Sequence, residues 1–356
     1  MANIWIDDMH FNFAVIGNGL LGSAILDEIS KDHSSVVGYG ANYGTAGRYF
    51  SSHEDDSRLV RTYHDDHYWE DLAIRNLQEI RALEKEVEMK VFYDLPVYYN
   101  RKDNQDALLY ASLQPIGEQH SERVRPLFNA EDIEGGFLDP KRYIKAMNRR
   151  SIRRGINIYP TAVTSVTQDR EVYQLIPLTG QSASTDIVID TRGAFSEEAF
   201  KQGKITIVGK VLIYTTAPLD VEEGSFCFID SSPKQNVFQN AYGFFQYQKL
   251  ENTAISKFGF TELHYEELAS IDKLIWWFQG GYTEYSYLQE ALLYIEEFMG
   301  GSHKLLSVKP CALSLTSNGK PFVERKGNYI TITGGNGNLA KCSQAFAQEA
   351  LHLVGL

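Results

Sequence analysis

A glycine-rich segment near the start of the chain has the residue types and spacing that point most directly to chemistry. Residues 17–22 (GNGLLG) follow the apolar run 11–16 and precede a stretch with apolar residues at helical spacing. In such a strand–turn–helix unit the glycines permit a tight turn, a close approach of the backbone to a pyrophosphate, and close helix–strand packing. Free N–H groups at the start of the helix then face the phosphates. The motif predicts a dinucleotide site with contacts from Gly17, Gly19, Leu20, Leu21 and Gly22.

The residue that would identify the dinucleotide is missing from its usual place. Units of this kind carry an acid about 20 residues further on, which binds the ribose hydroxyls. Here the second strand, expected at residues 34–37, runs into Gly38-Tyr39-Gly40, without Asp or Glu. The motif therefore predicts a dinucleotide without specifying which one.

The composition excludes several classes of protein. The 356 residues favour about two domains, and 43% hydrophobic against 22% charged residues can build a large core. The excess of 46 acidic over 34 basic residues gives a net charge of -12, which repels a phosphate backbone. The acidic start resembles no secretory signal, and no apolar run is long enough to span a membrane. Three cysteines suit neither a disulfide framework nor a zinc site. We expect a cytoplasmic protein that binds no metal, nucleic acid or membrane.

The elements around the glycine turn indicate a doubly wound α/β domain interrupted by a β-rich one. Hydrophobic periodicity predicts strands at 11–16, 34–37, 155–159, 186–190 and 329–333. It predicts helices at 23–31, 68–87, from about 140, and at 343–353. Residues 206–260 alternate as antiparallel strands do, and helices are expected near 262–279 and 284–299. The predicted cofactor domain comprises 1–76, 136–205 and 306–356, and the substrate domain 77–135 and 206–305.

The helix expected after residue 139 is strongly basic. Seven Lys and Arg residues lie between Lys141 and Arg154. A phosphate-binding face is one interpretation, but in an acidic protein a solvated helix face is favoured.

Several segments resemble, in order, the flavin-dependent amine and amino-acid oxidases of the D-amino-acid oxidase-like superfamily, especially the sarcosine oxidase and N-methyl amino acid oxidase group. They are the glycine turn, residues 52–61 (SHEDDSRLVR), residues 193–195 (GAF), residues 256–260 (SKFGF) and residues 311–341. In the last segment Cys311, Thr316, Pro321, Gly334, Gly337 and Lys341 stand at the family's spacing. The resemblance implies a Rossmann-like FAD-binding domain, discontinuous, with an inserted antiparallel β-sheet substrate domain.

The resemblance also assigns roles to single residues. It implies that Arg61 and Lys341 clamp a substrate carboxylate, that Arg58 lies near the flavin ring, and that Lys257 activates oxygen. It implies that Cys311 tethers FAD through a thioether. The alternative interpretation of Cys311 is a buried apolar cysteine with no bond to the cofactor. Further cofactor contacts are implied for Ser52, His53, Gly334, Gly335, Gly337, Asn338 and Leu339.

The implied function is an FAD-dependent oxidase of the C–N bond of an amino acid or related amine. Hydride transfer to the flavin gives an imine, and O2 is reduced to H2O2, in a monomer or small homo-oligomer. Thr261 stands where sarcosine-acting members carry histidine, and Asn318 where Asp is usual. Two alternatives stay open: an NAD(P)-dependent dehydrogenase using the same glycine turn, and a non-catalytic flavin-binding subunit of a complex.

Overall fold

A computed structural model describes residues 9–40, 56–101, 113–122, 124–220, 224–300 and 303–356. Ser52 and His53, two of the expected cofactor contacts, lie outside these residues. The α-helices of the described part are α1 (Leu20–Ile29), α2 (His67–Val87), α3 (Pro140–Arg153), α4 (Glu197–Lys201), α5 (Ile271–Phe278), α6 (Leu288–Met299) and α7 (Ser343–Leu353).

The strands, in chain order, are β1 (Met9–Ile16), β2 (Val36–Tyr39), β3 (Arg58–Val60), β4 (Phe92–Asp94), β5 (Val97–Asn100), β6 (Leu113–Pro115), β7 (Ala130–Asp132), β8 (Gly136–Leu138), β9 (Asn157–Tyr159), β10 (Val163–Asp169), β11 (Val172–Pro177), β12 (Ala183–Asp190), β13 (Thr206–Pro218), β14 (Phe226–Asp230), β15 (Phe238–Lys249), β16 (Thr253–Glu262), β17 (Glu266–Glu267), β18 (Lys304–Leu315), β19 (Phe322–Lys326) and β20 (Tyr329–Thr333).

The first sheet has a parallel centre in the order β20–β12–β1–β2–β9, with β10, β11 and β19 added antiparallel. Alternation along β1 sends Phe13 and Val15 into a core formed with α1, α2, α3 and α7. Ala14 and Ile16 enter a second core on the opposite face, beneath β10 and β11. This arrangement confirms the expected Rossmann-like layer, because parallel strands bury both faces. It also places β2 and β9 on one side of β1, and β12 and β20 on the other.

Helix α2 crosses one of the predicted domain boundaries. The boundary expected between residues 76 and 77 falls inside this continuous helix. Leu72 and Ala73 before the boundary pack in the same core as Ile80 and Leu83 after it. We therefore place all of α2 with the first sheet. The two-domain division itself stays a prediction.

The inserted sheet runs in the order β17–β13–β16–β15–β14–β5–β7–β6, with β18 on β13. Its pairs are antiparallel except for β14 with β5. The helix expected near 262–279 is wrong in its first half, where β16 ends at Glu262 and β17 follows at Glu266–Glu267. The physical reason is pairing with β13: β17 pairs with Val208 and Gly209, and the backbone N–H of Leu268 donates to the Ile207 carbonyl oxygen at 2.8 Å. Helix α5 begins only after Ser270, whose side chain accepts from the backbone N–H of Lys273.

The interpretation of the basic helix α3 as a solvated face is wrong for part of it. Arg150 is buried, and its Nε donates to Asp27 of α1 at 2.7 Å. Arg154 donates to the same carboxylate at 3.1 Å. Asp27 is 1% exposed, so this ion-pair cluster locks α3 onto α1 from inside the protein.

Within the described ranges, no helix is long and apolar enough to cross a membrane. The same residues contain no group of three or more His, Cys, Asp and Glu side chains suited to holding a metal ion.

Candidate active site

A cavity of about 440 Å³ lies between the first sheet and the inserted sheet. The carboxyl ends of β1, β2, β12 and β20 open into it, where ligands bind in open α/β sheets. Its opposite wall comes from β13, β15, β16 and β18. Five cationic side chains line the cavity, whereas no Asp or Glu is found among its described lining residues; the cations are Arg58, Arg61, Arg192, Lys210 and Lys341. Arg192 and Lys210 form ion pairs with Asp190 and Glu262. In a protein of net charge -12, the remaining positive charge at the cavity wall favours anions.

The glycine turn has the geometry that a dinucleotide requires. Gly17 has a φ of +102°, and a Cβ there would lie 2.7 Å from the carbonyl oxygen of Thr191. A Cβ on Gly22 would lie 1.6 Å from the Gly17 oxygen, so α1 packs against the turn only with glycine there. Gly19 caps α1 without any side-chain hydrogen bond, and the first turn holds no acidic residue. The free N–H groups at this helix start therefore fit the diphosphate of FAD.

Most of the predicted site residues meet in this one cavity. Those that line it are Gly17, Gly19, Leu20, Leu21, Arg58, Arg61, Cys311, Gly334, Gly337, Asn338, Leu339 and Lys341. Three others do not line it; they are Gly22, Gly335 and Lys257. Gly22 instead supports the packing of α1.

Arg61 and Lys341 bring two positive charges together. Lys341 is 4% exposed, and its Nζ donates to Asn338 Oδ1 at 2.9 Å. Burial lowers the pKa of Lys341 well below its ordinary value, and the charge of Arg61 lowers it further. Both effects oppose the ammonium form, so an anion bound between the two cations would relieve them.

Asp132 fixes the turn that presents Arg61. Its fully buried carboxylate accepts from the backbone N–H of Thr62 at 2.7 Å and from the Thr62 hydroxyl at 2.9 Å. It also accepts from the N–H groups of Tyr63 at 3.2 Å and Glu134 at 3.1 Å. This positioning residue was not predicted from the sequence, because one acid in a mixed loop carries no signal of its own.

His64 adds no third charge beside this pair. Burial, followed by the nearby charges of Lys341 and Arg61, lowers the pKa of His64 to about 2. Its Nδ1 accepts a hydrogen bond from the backbone N–H of Asp66 at 3.1 Å. The imidazole is therefore neutral at physiological pH.

Lys257 lies behind the cavity wall. It is 1% exposed, and its Nζ donates to the carbonyl oxygen of Ser57 at 2.6 Å and to the Ser57 hydroxyl at 3.2 Å. The rings of Tyr214 and Phe244 lie 5.8 and 5.2 Å from the amine. The ammonium group of Lys257 is therefore inside the protein and contacts Ser57, the residue that precedes Arg58.

Cys311 lines the cavity from β18 and is 4% exposed. Its register partner on β13 is Lys210, a buried cation that sequence analysis missed. Lys210 forms an ion pair with Glu262 and donates to the Phe260 carbonyl oxygen at 3.2 Å. Burial lowers the pKa of Lys210. A lysine in an alternating strand is typical of a solvent-facing position, and only the pairing of β13 with β18 reveals this one.

A family model described as "DAO: FAD dependent oxidoreductase" matches residues 12–353. No curated protein matches the chain.

Solved structures share the fold at low sequence identity. L-proline dehydrogenase from P. horikoshii superposes with a TM-score of 0.74 at 14% identity, covering 98% of this chain and 94% of that one. NikD, an unusual amino acid oxidase essential for nikkomycin biosynthesis, gives 0.70 at 11%, covering 96% and 94%. Glycine oxidase from Bacillus cereus gives 0.66 at 13%, covering 97% and 94%.

Proposed function

The chain belongs to the DAO family of FAD-dependent oxidoreductases, and from this premise we propose that it oxidises the C–N bond of an amino acid or related amine that carries a carboxylate. The observation that carries the proposal is the Arg61–Lys341 pair in a cavity whose described lining residues include no Asp or Glu. The diphosphate of FAD fits the glycine turn, so Arg61 and Lys341 remain for a second anion.

A substrate carboxylate fits the Arg61–Lys341 pair in charge and geometry. The planar guanidinium of Arg61 binds a carboxylate through two parallel hydrogen bonds. A bound anion favours the ammonium form of Lys341, because the anion offsets the charge of Arg61. We expect the affinity for the carboxylate to fall as the pH rises, because deprotonation of Lys341 removes one of the two charges.

The inserted sheet would hold the amine end of the substrate. Asn240, Tyr242 and Thr261 offer hydrogen-bonding groups on this wall, beside the aromatic rings of Phe260 and Phe278. Bound FAD supplies the hydride acceptor. The protein residues orient the α-hydrogen towards it and exclude water, and the imine product is hydrolysed after release.

For the electron acceptor we propose O2, reduced to H2O2, with Lys257 as the stabilising charge. A buried cation in an apolar setting favours formation of superoxide nearby. The alternative of a dehydrogenase with another acceptor concerns only this second half-reaction, and it leaves the substrate clamp unchanged.

We also propose that Cys311 tethers the flavin. Cys311 lines the cavity, whereas Cys342 is fully buried, and burial raises its thiol pKa to about 12. Denaturation should leave the flavin attached to the wild-type protein and release it from Cys311→Ala. Release of the flavin from both proteins would contradict the tether and leave the other proposals unchanged.

A substrate screen tests the proposed function. Purified holoprotein is incubated with primary and N-alkylated amino acids, and each is paired with its decarboxylated amine. We expect an oxo-acid product from at least one amino acid and at least a hundredfold weaker turnover of its decarboxylated partner. Equal turnover of both would refute the clamp. No turnover of any amine would favour the flavin-binding subunit.

A further inference from the structure

The end of β2 is where the ribose-binding acid is missing, and the structure places a buried tyrosine there. Tyr39 is the last residue of β2 and 2% exposed. Parallel pairing sets it beside Ile16 of β1, the residue that leads into the glycine turn. Tyr39 therefore holds the strand-end position from which an acid normally reaches the ribose hydroxyls.

The hydroxyl of Tyr39 is buried without a hydrogen-bond partner in the described structure. Its ring stacks on Tyr159 of β9, with ring centroids 5.5 Å apart. Burial raises the pKa of Tyr39 to about 12, so the group carries its proton at physiological pH. Buried polar groups are almost always paired, and leaving one unpaired costs free energy. A ligand that supplies an acceptor would satisfy it.

Tyr39 also lines the cavity, on the side where the adenosine of FAD belongs. The sheet order puts β2 and β9 on one side of the glycine turn, and Ala162, which follows β9 in the chain, is part of the cavity wall. Lys341 follows β20, on the other side of the turn. Strand β18, which carries Cys311, contacts this segment where the backbone N–H of Asn336 donates to the Ser314 carbonyl oxygen at 3.3 Å. Because a dinucleotide crosses the turn at its diphosphate, one end of FAD faces each side. With the flavin near Cys311, the adenosine end faces Tyr39.

We propose that Tyr39 replaces the missing acid and donates a hydrogen bond to the 2′-hydroxyl of the adenosine ribose of FAD. This inference rests on FAD as the cofactor and is independent of the amine substrate. An acid in this position accepts hydrogen bonds from the ribose, whereas tyrosine donates one. The ribose is thus recognised without placing a negative charge in a cavity that otherwise collects anions.

A cycle of one substitution and one cofactor analogue tests the proposal. The protein is Cys311→Ala, which allows FAD to be removed and rebound, and the readout is the dissociation constant from quenching of flavin fluorescence. The probes are FAD and its analogue with 2′-deoxyadenosine. We expect the analogue to bind about three- to tenfold more weakly than FAD, the effect of one neutral hydrogen bond.

Tyr39→Phe in the same background should lower FAD affinity by a similar factor and bind both probes equally. Tyr159→Phe is the matched control, since its hydroxyl contacts Met9 Sδ at 3.6 Å instead of lining the cavity. It should discriminate between the probes as the parent does. The analogue probes the parent's hydrogen bond even if Tyr39→Phe folds poorly.

Two failures are distinguishable. A parent that binds both probes equally, or a Tyr39→Phe protein that still prefers FAD, overturns the role of Tyr39 and leaves the proposed function intact. A parent that binds neither probe overturns FAD binding itself, and with it both proposals.

Discussion

Replacing Lys341 by methionine should change binding and stability in opposite directions. Lys341 is 4% exposed and lies close enough to Arg61 for each charge to oppose the other. Methionine keeps the length of the side chain and removes the charge. A bound carboxylate would lose one buried, charged hydrogen bond, which is worth about 2–4 kcal/mol. At about 1.4 kcal/mol per tenfold, the affinity for a carboxylate inhibitor should fall roughly 30- to 700-fold.

The ligand-free protein should not suffer from the same change. Replacing buried charges by apolar groups is often neutral, or stabilising by about 1–4 kcal/mol. We therefore expect Lys341→Met to melt at the same temperature as the wild type or above it. Because the folded pKa of Lys341 lies below its unfolded value, the unfolded chain holds the extra proton between the two. Wild-type stability should thus rise with pH in that window, and the variant should lack this rise.

The assays are thermal unfolding across pH and titration of a carboxylate inhibitor followed by the flavin spectrum. Lys320→Met is the matched control, because this exposed lysine packs on the Tyr68 ring and does not line the cavity. Both properties should stay at wild-type values there. A Lys341→Met protein that melts lower and binds the inhibitor normally would refute the reasoning, since Lys341 would then be a structural residue.

Three further predictions concern other parts of the structure. Lys257→Met should slow reaction of the reduced protein with O2 by about 10²–10³ in stopped flow and leave anaerobic reduction nearly unchanged; equal slowing of both would mean a structural role only. His64, with a folded pKa of about 2, should cost roughly 2 kcal/mol of stability between pH 7 and pH 5, where the unfolded chain takes up its proton; denaturant unfolding of His64→Gln should lack this loss, and an identical pH profile would contradict the burial of this imidazole. Asp27→Asn should lower the free energy of unfolding by about 3–5 kcal/mol because Arg150 loses its buried partner. The control Glu86→Gln changes a partner of Arg150 that is 48% exposed, and it should cost below about 1 kcal/mol; similar losses in both variants would contradict the greater weight of the buried ion pair.

Local patterns were sufficient to predict the five parallel strands of the first sheet, whereas the antiparallel strands β10, β11 and β19 were not predicted. The glycine turn is a recognisable motif. The hydrophobic periodicity of β20 and α7 extends over each whole element. The predicted bounds of β20 and α7, residues 329–333 and 343–353, agree with the structure. Propensity and amphipathicity decide such elements with little help from distant contacts.

The missed features depend on contacts between distant segments. Lys210 becomes part of the cavity wall only because β13 pairs with β18, a strand that was not predicted. Asp132 acts through the backbone of Thr62, 70 residues away. Tyr39 carried a signal in the sequence, as the residue standing where an acid was missing. The role of Tyr39 became visible only in the structure, where its hydroxyl is buried without a hydrogen-bond partner among the described residues.

The most direct test of the central claim is a single turnover without oxygen. Purified protein is mixed anaerobically with an excess of the amino acid selected by the screen, and the visible absorbance of the flavin is recorded with the product formed. We expect full bleaching of the flavin and one equivalent of the carbonyl product of imine hydrolysis per flavin. A flavin that stays oxidised with every carboxylate-bearing amine, but is bleached by NADH or NADPH, would contradict it.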